Sequence, residues 1–411
     1  MPLLQSPNIP VFVKTLKGLE EVLARELNSL GARDTFSGIR GVSCLADQET
    51  LYRVLIHSRL AIRVLVRIDE AQIHNEQELY DWARTISWEP WITLKHTFAV
   101  DVVSFHPEMN HTMFLALKTK DAIVDRFREQ IGERPGVEPK DPDVRINLHI
   151  SKDGSAHIGL DASGRSMNQR GYRRQAGKAA MNEVLAAGLI ALSLWDPETP
   201  FVDPMCGSGT ILIEAAMKAK NRAPALMNDS FGIKRWPAFR ASLWERLIRE
   251  AQRAERRDVD WIHGSDQDPV AIAICRENVR SARLSKNIQL HNKPFQKLWF
   301  PKGPGTIISN PPYGEHIGRR DELLALYESL GATLRKAANG YKAYFITPDP
   351  DFRKTIPLKS GKIFSVLNGT IPCEYISYSI GVRSDARQSP PRKNKQKQTS
   401  ERTGSSSGTT S

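Results

Sequence analysis

The segment FVDPMCGSGT, residues 201–210, constrains the fold of this chain more than any other stretch of its 411 residues. A short hydrophobic run ends at Asp203, a turn with Gly207 and Gly209 follows, and the apolar helical pattern ILIEAAMKA begins directly after Thr210. A strand, a tight glycine turn and a helix in this order are typical of the first crevice of a doubly wound α/β sheet, where ligands bind beyond the strand. The segment therefore predicts a Rossmann-like α/β domain with a ligand site at this turn.

The second half of the chain alternates strand-like and helical segments, which supports the same fold class. The strand-like segments are WIHGSD, IQLHN, GTIISN and KAYFIT, and helical patterns separate them. Alternation of this kind is typical of a parallel sheet covered by helices on both faces. We therefore expect a doubly wound domain over residues 183–383.

The first half of the chain predicts a smaller α+β region. The segment VFVKTL is β-prone, and the helical pattern GLEEVLARELNSLG that follows it ends at Gly31. Further along, TFAVDVVSF alternates as a strand does, and two β-prone runs are separated by a turn at Asp153 and Gly154. After a leader of residues 1–9, residues 10–160 are expected to form two small units without a parallel nucleotide-binding core.

Two polar segments are predicted to lie outside these domains. Residues 162–182 are polar, basic and glycine-bearing, which is typical of a linker. Residues 384–411 contain no aromatic side chain and almost no aliphatic one, so we expect a disordered basic tail. Such a tail either keeps the protein in solution or adds nonspecific affinity for RNA.

Charge and composition exclude several classes of protein. A net charge of +12 predicts attraction to phosphate polymers or anionic membranes. No apolar run approaches the roughly 18 residues of a spanning helix, and the N-terminus lacks the pattern of a signal peptide. The four cysteines form no CxxC pair, and the ten histidines form no HxxxH pair. We therefore expect no metal, no disulfide framework, no membrane and a cytoplasmic location.

The residues of the glycine turn indicate a cationic ligand. A phosphate-binding P-loop requires a lysine after its second glycine, and a dinucleotide site usually has a third glycine; both are missing here. Asp203 would repel a phosphate but suits a cation. S-adenosylmethionine carries a sulfonium and an α-ammonium group, so it fits this charge. The candidate cofactor contacts are Asp203, Pro204, Met205, Cys206, Gly207, Ser208 and Gly209.

A second candidate contact follows the next strand. The segment WIHGSD ends at Asp266, and a helix is predicted to begin near Pro269 with Asp268 as its N-cap. An acidic side chain at this place can accept hydrogen bonds from both ribose hydroxyls of an adenosine. Asp266 and the adjacent Gln267 are therefore expected to contact the cofactor, with a cap or turn role for Asp266 as the alternative.

The segment SNPPYGEH, residues 309–316, is the candidate catalytic motif. The exocyclic amine of a nucleobase is a poor nucleophile because its lone pair is delocalised into the ring. The Asn310 side-chain oxygen and the Pro311 carbonyl can accept hydrogen bonds from that amine and direct its lone pair toward a methyl donor. Pro312 makes the turn rigid, and Tyr313 can stack on a base that has left its helix. A proline-rich surface turn is the alternative.

Basic residues crowd the predicted linker around one aromatic residue. Together they could follow phosphates while the ring stacks on a base. A solvated linker is the alternative interpretation. The candidate RNA-binding residues are Arg165, Arg170, Tyr172, Arg173, Arg174 and Lys178.

The segments DPMCGSGT, GSDQDP and NPPYGE resemble, in sequence and order, the motifs of class I S-adenosylmethionine-dependent amino-methyltransferases that act on RNA. The front half, above all DPDVRINLHISKDGSAHIGLDASGRSMNQRGYR, resembles a THUMP domain preceded by a ferredoxin-like unit. The resemblance is closest to the bacterial 23S rRNA guanine-N2 methyltransferases of the L type, the RlmL group.

This resemblance implies a ferredoxin-like unit at residues 10–55, a THUMP RNA-binding domain at 56–161 and a methyltransferase domain at 183–383. It implies methyl transfer from S-adenosylmethionine to guanine N2 in 23S rRNA or a large-subunit precursor, with S-adenosylhomocysteine as the product. Some members carry a second, fused methyltransferase domain, which we do not expect here. The family also implies Asn182 as a cofactor contact.

One departure from the family concerns the adenine of the cofactor. Relatives usually place an aspartate near the adenine amine after the third strand, whereas this chain has HNKPFQKL. Two alternatives follow: Asn292 or a backbone group substitutes for that aspartate, or the adenine contact is weaker.

Three other functions stay open on the sequence alone. A tRNA guanine-N2 methyltransferase would share the THUMP and Asn-Pro-Pro-Tyr features. A DNA adenine-N6 methyltransferase could use the same catalytic motif, but its front half would not be expected to resemble a THUMP domain. A ribosome-assembly factor that binds RNA without catalysis is the third. No obligate protein partner is expected.

Overall fold

Two β-sheets organise the protein, and a computed structural model describes residues 3–174, 180–256, 259, 261–313 and 320–381. The strands are β1 (Ile9–Lys14), β2 (Arg33–Gly38), β3 (Gly41–Ala46), β4 (Arg63–Gln72), β5 (Thr97–Ser104), β6 (Gly136–Val137), β7 (Val144–Ile150), β8 (Ser155–Asp161), β9 (Phe201–Asp203), β10 (Ile262–Asp266), β11 (Ile288–Asn292), β12 (Thr306–Ser309), β13 (Lys342–Thr347), β14 (Ser360–Asn368) and β15 (Ile371–Ser379). The α-helices are α1 (Glu20–Ser29), α2 (Gln48–His57), α3 (Glu76–Thr85), α4 (Thr112–Ile131), α5 (Glu183–Leu192), α6 (Thr210–Ala219), α7 (Ala241–Arg253), α8 (Pro269–Ser281), α9 (Arg320–Ala337) and α10 (Phe352–Thr355). The short 3₁₀ helices are Leu3–Gln5, Pro224–Leu226, Gly232–Arg235 and Phe295–Lys297.

The first sheet is formed by the front half of the chain. Its eight strands lie in the order β2-β3-β1-β4-β8-β7-β5-β6. Strand β4 pairs antiparallel with β1 on one side and with β8 on the other, so one continuous sheet joins the two units expected from the sequence. The expected boundary between residues 55 and 56 lies within α2. The turn at Asp153 and Gly154 connects β7 and β8 as an antiparallel hairpin, as predicted.

The second sheet has seven strands in the order β11-β10-β9-β12-β13-β15-β14. The first five are parallel, which confirms the doubly wound prediction. Every residue of β9 and β12 is buried, as expected where helices cover both faces of a parallel sheet. The last two strands, β14 and β15, form an antiparallel hairpin that pairs with β13.

In the described part of the segment between the two sheets, residues 162–174 and 180–182, several side chains pack into the protein, unlike those of a solvated linker. Arg170 and Tyr172 are 2% and 1% exposed, respectively. From the front half, the half-buried Arg59 side chain donates hydrogen bonds to the carbonyls of Met217 and Arg222, over 3.2 and 2.8 Å. These contacts attach the front half to α6 and to the chain that follows this helix, next to the second sheet.

Within the described residues, no helix is both long enough and apolar enough to cross a bilayer. The same residues contain no group of three or more His, Cys, Asp or Glu side chains arranged to hold a metal ion. The predicted tail of residues 384–411 lies outside the described residues.

Candidate active site

The candidate site is a cavity of about 530 Å³ at the carboxyl edge of the second sheet. Because β9 pairs in parallel with both β10 and β12, the loops that follow these three strands meet at one edge. The predicted residues that line this cavity are Asp203, Pro204, Met205, Cys206, Gly207, Ser208, Asp266, Gln267, Asn310, Pro311, Pro312 and Tyr313. The structure therefore brings the three sequence motifs together in one place.

The two glycines of the turn have different roles. Gly207 has a φ of 51°, and a Cβ atom built there would meet nothing within 4 Å. Gly209, the N-cap residue of α6, has a φ of 83°, and its Cβ would lie 2.4 Å from the Cys275 Sγ. The lack of a side chain at Gly209 thus lets the turn pack closely on α8, and a cofactor contact by Gly209 stays a prediction.

Asp203 is a buried carboxylate at the floor of the cavity. Only 1% of the residue is exposed, and its Oδ1 accepts hydrogen bonds from the Ser309 hydroxyl over 2.6 Å and from the Met205 backbone N–H over 3.2 Å. Burial raises the pKa of Asp203 to about 7, although the two hydrogen bonds oppose the shift. The charge of Asp266 adds to the rise in pKa.

Asp266 links the first two motifs. Its Oδ2 accepts a hydrogen bond of 2.9 Å from the backbone N–H of Gly207, and its Oδ1 accepts one of 3.0 Å from the N–H of Asp268. Asp268 is the N-cap of α8, as predicted, and accepts from the Val270 N–H. The Asp266 carboxylate is thus held at the cavity wall by two backbone donors.

The residues after the third strand are placed differently from the expectation. The Asn292 amide donates to the backbone carbonyls of Asp266 and Gln267, over 2.9 and 3.2 Å, and Asn292 does not line the cavity. Pro294 and Phe295 line it instead. Phe295 was not predicted to line the cavity, although an apolar residue three positions after the end of β11 was an available signal.

Asn310 presents an unused hydrogen-bond acceptor to the cavity. Its Oδ1 is buried and has no hydrogen-bond partner among the described residues. Buried polar atoms are nearly always paired, so an unpaired acceptor at a cavity wall indicates a ligand donor. Directly after it, Pro311 is buried and Pro312 is half-buried. The Tyr327 hydroxyl lies 3.4 Å from the Pro312 carbonyl and supports the turn.

Tyr313 lies at the mouth of the cavity. Its hydroxyl accepts a hydrogen bond of 3.0 Å from the Asn368 amide, and partial burial raises its pKa. The hydrogen bond anchors the ring to the hairpin of β14 and β15. The next two residues of the motif, Gly314 and Glu315, lie outside the described residues.

Asn182 was predicted to contact the cofactor but has a structural role. Its Oδ1 accepts hydrogen bonds from the backbone N–H groups of Val184 and Leu185, which makes it the N-cap of α5. Asn182 does not line the cavity, whereas the preceding Ala180 and Met181 do. A cofactor contact by Asn182 stays a prediction, because a side chain that caps a helix can also contact a ligand.

Two of the predicted RNA-binding residues are also corrected by the structure. The buried Arg170 side chain donates to the Met167 carbonyl over 2.6 Å and lies 3.6 Å from the Glu214 carboxylate. The Tyr172 hydroxyl donates to the same carboxylate over 3.1 Å. Burial raises the pKa of both Glu214 and Tyr172. These two side chains form an internal network with Glu214 and cannot reach RNA.

The other predicted RNA-binding residues differ in exposure. Arg173 donates to the Glu183 carboxylate over 2.8 Å and supports the chain beside the cavity. Arg174 is exposed and donates to the Ser281 hydroxyl, and Arg165 is half-buried. RNA contact by Arg165 and Arg174 stays a prediction. Lys178 lies outside the described residues.

Comparison with known families gives three matches along the chain. Residues 10–65 match the RlmL ferredoxin-like domain, and residues 74–161 match the THUMP domain. Residues 170–377, half of the chain, match the RMKL-like methyltransferase domain. The order of the three matches agrees with the resemblance found in the sequence.

Individual relatives agree with the family matches. The chain is 37% identical over 398 residues to a protein of Syntrophotalea carbinolica named ribosomal RNA large subunit methyltransferase K/L. The match covers 93% of this chain but only 56% of that relative, so the chain spans little more than half of its length.

Two solved structures are similar over nearly the whole chain. A methylase from Clostridium difficile has a TM-score of 0.84 and 30% identity, with 94% of this chain and 100% of that chain covered. SMU.472, a methyltransferase crystallised with S-adenosylhomocysteine, has a TM-score of 0.84 and 29% identity, with 91% of this chain and 99% of that chain covered. With its three domains in this order and its motifs gathered at one cavity, the chain belongs to the family with an RMKL-like methyltransferase domain preceded by RlmL ferredoxin-like and THUMP domains.

Proposed function

We propose that this protein transfers a methyl group from S-adenosylmethionine to the exocyclic N2 of a guanine in 23S ribosomal RNA. The observation that carries the proposal is the buried Oδ1 of Asn310, unpaired among the described residues, at a cavity that three carboxylates, Asp203, Asp266 and Asp268, also line. The name of the Syntrophotalea carbinolica relative supports ribosomal RNA as the substrate class.

The residues of the cavity fit S-adenosylmethionine and its product S-adenosylhomocysteine. Asp203 would hold a cationic group of the methionine end, and Asp266 would accept hydrogen bonds from the ribose hydroxyls. The space beside Gly207, where a Cβ would meet nothing within 4 Å, leaves the turn open to the ligand. Phe295 gives an apolar wall for the adenine. When bound, S-adenosylmethionine supplies a methyl group on a positively charged sulfur.

The Asn-Pro-Pro-Tyr turn orients the guanine. The Asn310 Oδ1 and the Pro311 carbonyl accept the two N–H groups of the exocyclic amine, which favours sp³ geometry at nitrogen and frees its lone pair. Pro312 and the Tyr327 hydroxyl keep the turn in place. Tyr313, anchored through Asn368, stacks on the base and excludes water from one face.

The front half of the chain is proposed to hold the RNA. We retain a ferredoxin-like unit over residues 10–55, a THUMP domain over 56–161 and a methyltransferase domain over 183–383 as the proposed division. The substrate is 23S rRNA or a large-subunit precursor, and a protein that modifies ribosomal RNA in a bacterium would act in the cytoplasm. RNA affinity should fall steeply as salt rises, because phosphate contacts release counterions.

One assay separates this function from its alternatives. The full chain is incubated with labelled S-adenosylmethionine and unmodified 23S rRNA, tRNA or DNA, and each product is digested to nucleosides. The proposal expects N2-methylguanosine from 23S rRNA. N2-methylguanosine from tRNA alone would assign the tRNA activity, and N6-methyladenine would assign the DNA activity. No incorporation into any substrate, with RNA binding intact, would favour an assembly factor.

A further inference from the structure

A second cavity of about 320 Å³ lies beside the catalytic turn. Its lining includes Lys17, Pro348, Asp349, Leu367, Pro372 and Glu374. Strands β12 and β13 are parallel neighbours with Ser309 in register with Phe345, so the chain after each strand leaves the same sheet edge about 5 Å apart. The Tyr313 hydroxyl accepts a hydrogen bond from the side-chain amide of Asn368, and Asn368 directly follows Leu367 of the second cavity. Tyr313 thus lies between the first cavity and the second.

Two side chains of opposite charge line the second cavity and have no partner among the described residues. Neither Lys17 nor Glu374 makes a side-chain hydrogen bond or an ion pair with any described residue. Asp349, by contrast, is satisfied: Arg320 donates to both of its oxygens over 2.8 and 3.1 Å, and the Tyr327 hydroxyl lies 3.2 Å away. Among the described residues, the exposed Lys17 ammonium and the half-buried Glu374 carboxylate of this cavity therefore have no charged or hydrogen-bonding partner.

The position of Lys17 is fixed by the neighbouring backbone, although Lys17 belongs to the front half of the chain. Gly18 has a φ of 90°, and a Cβ atom there would lie 2.3 Å from the Ser365 carbonyl oxygen of β14. The Gly18 N–H donates to the Glu20 carboxylate over 2.7 Å, and the same carboxylate accepts from the Arg40 N–H. The front half thus contacts β14, in the hairpin of β14 and β15, directly beside Lys17, which lines the second cavity.

We propose that the second cavity holds the nucleotide that adjoins the target guanine in the RNA, which rests on the proposed function. Lys17 contacts the phosphate of this nucleotide, and Glu374 accepts hydrogen bonds from N–H groups on the edge of its base. Pro348, Pro372 and Leu367 give an apolar surface for the base. A nucleotide matches this pattern because it joins an anion to a flat ring with N–H donors.

The RNA affinity of variants that lack the charge of Lys17 or of Glu374 tests this proposal. Binding of unmodified 23S rRNA is measured without methyl donor at several salt concentrations, for the unmodified chain and for Lys17→Gln and Glu374→Gln. Lys336→Gln and Glu328→Gln, exposed residues of α9 that line neither cavity, are the matched controls. Lys17→Gln should weaken binding roughly tenfold and reduce the salt slope by about 0.7–0.9.

Glu374→Gln should also weaken RNA binding, by roughly tenfold, because a base contact is lost. Removing a carboxylate that makes no such contact would instead strengthen binding to a polyanion. Tighter binding by Glu374→Gln, or binding by Lys17→Gln equal to that of its control, would overturn the proposal. Because no donor is present, these results do not depend on the methylation product. A failure of the proposed function would appear separately, in the nucleoside analysis.

Discussion

A change of pH around neutrality should alter cofactor affinity through Asp203. Burial raises the pKa of this carboxyl to about 7, compared with an ordinary value of 3.8, and the charge of Asp266 adds to the rise. The protonated acid has no charge with which to attract an ammonium group, so only the ionised form contributes that attraction. Cofactor binding should therefore weaken as the pH falls below 7.

The magnitude follows from the ionised fraction of Asp203. With a pKa of about 7, about half of the carboxyl groups are ionised at pH 7 and about 3% at pH 5.5, so affinity should fall by at most about 15-fold between these values, the limit being set by the affinity of the neutral form. The range stops at pH 7 because the ligand's own α-amino group titrates at about 7.7–8.0. Across the chosen range that group stays mostly protonated.

Isothermal titration calorimetry with S-adenosylhomocysteine at pH 5.5, 6.2 and 7.0 measures this change directly. The control is Asp203→Asn, which preserves the shape of the side chain and removes its titration. It should bind more weakly than the unmodified protein at pH 7 and should show little dependence on pH. Equal affinity of the unmodified protein at pH 5.5 and 7.0 would refute the reasoning, as would an Asp203→Asn variant with undiminished affinity at pH 7.

The same pKa shift predicts a change in stability without cofactor. The folded-state pKa of Asp203 lies above the unfolded value, so the protonated carboxyl favours the folded state at low pH, and this contribution is lost as the pH rises through about 7. The difference between 3.8 and about 7 corresponds to about 4 kcal/mol. The stability of Asp203→Asn relative to the unmodified protein should therefore increase between pH 4 and pH 8, as measured by thermal unfolding. A constant difference in Tm would contradict the shift.

Two further substitutions test Arg170, which lies in a buried network, and Asn182, which caps α5. Arg170→Met should lower the free energy of unfolding by about 3 kcal/mol, because the buried Glu214 loses its ion-pair partner and keeps only the charge of Arg59 nearby. RNA affinity at fixed salt should not change, whereas a loss with unchanged stability would restore Arg170 as an RNA contact. Asn182→Ala should cost about 1 kcal/mol of stability through the lost N-cap, with unchanged calorimetric affinity for S-adenosylhomocysteine. A tenfold loss of that affinity would return Asn182 to the cofactor site.

The parts of the site that could be predicted from the sequence are those set by local chemistry. The glycine turn at Gly207 and the strand end at Asp266 each carry their own signal, namely a strand, a turn and a helix in short succession. Parallel pairing then brings them together, since strand ends in a doubly wound sheet share one edge. Asn310 was predictable for the same reason, because it directly follows β12.

The incorrect predictions of RNA contact have a different cause. A charged or aromatic residue in a sequence does not show whether its side chain is buried in the fold. Arg170 and Tyr172 look like a basic, aromatic surface, but their partner Glu214 lies on α6, far along the chain. For Asn182 the sequence could not show the N-cap role, because the same side chain can cap a helix or bind a ligand. The continuity of the first sheet through β4 was not predictable either, since strand pairing across two units leaves no local signal.

Single-turnover methyl transfer by Asn310→Ala tests the central claim most directly. Saturating S-adenosylmethionine and unmodified 23S rRNA are used, and the affinity for S-adenosylhomocysteine is measured by calorimetry on the same preparation. If the Asn310 oxygen orients the guanine amine, the rate should fall by about 10²–10³ while calorimetric affinity stays within about twofold of the unmodified protein. An unchanged rate, or a loss of cofactor affinity with turnover preserved, would contradict the account.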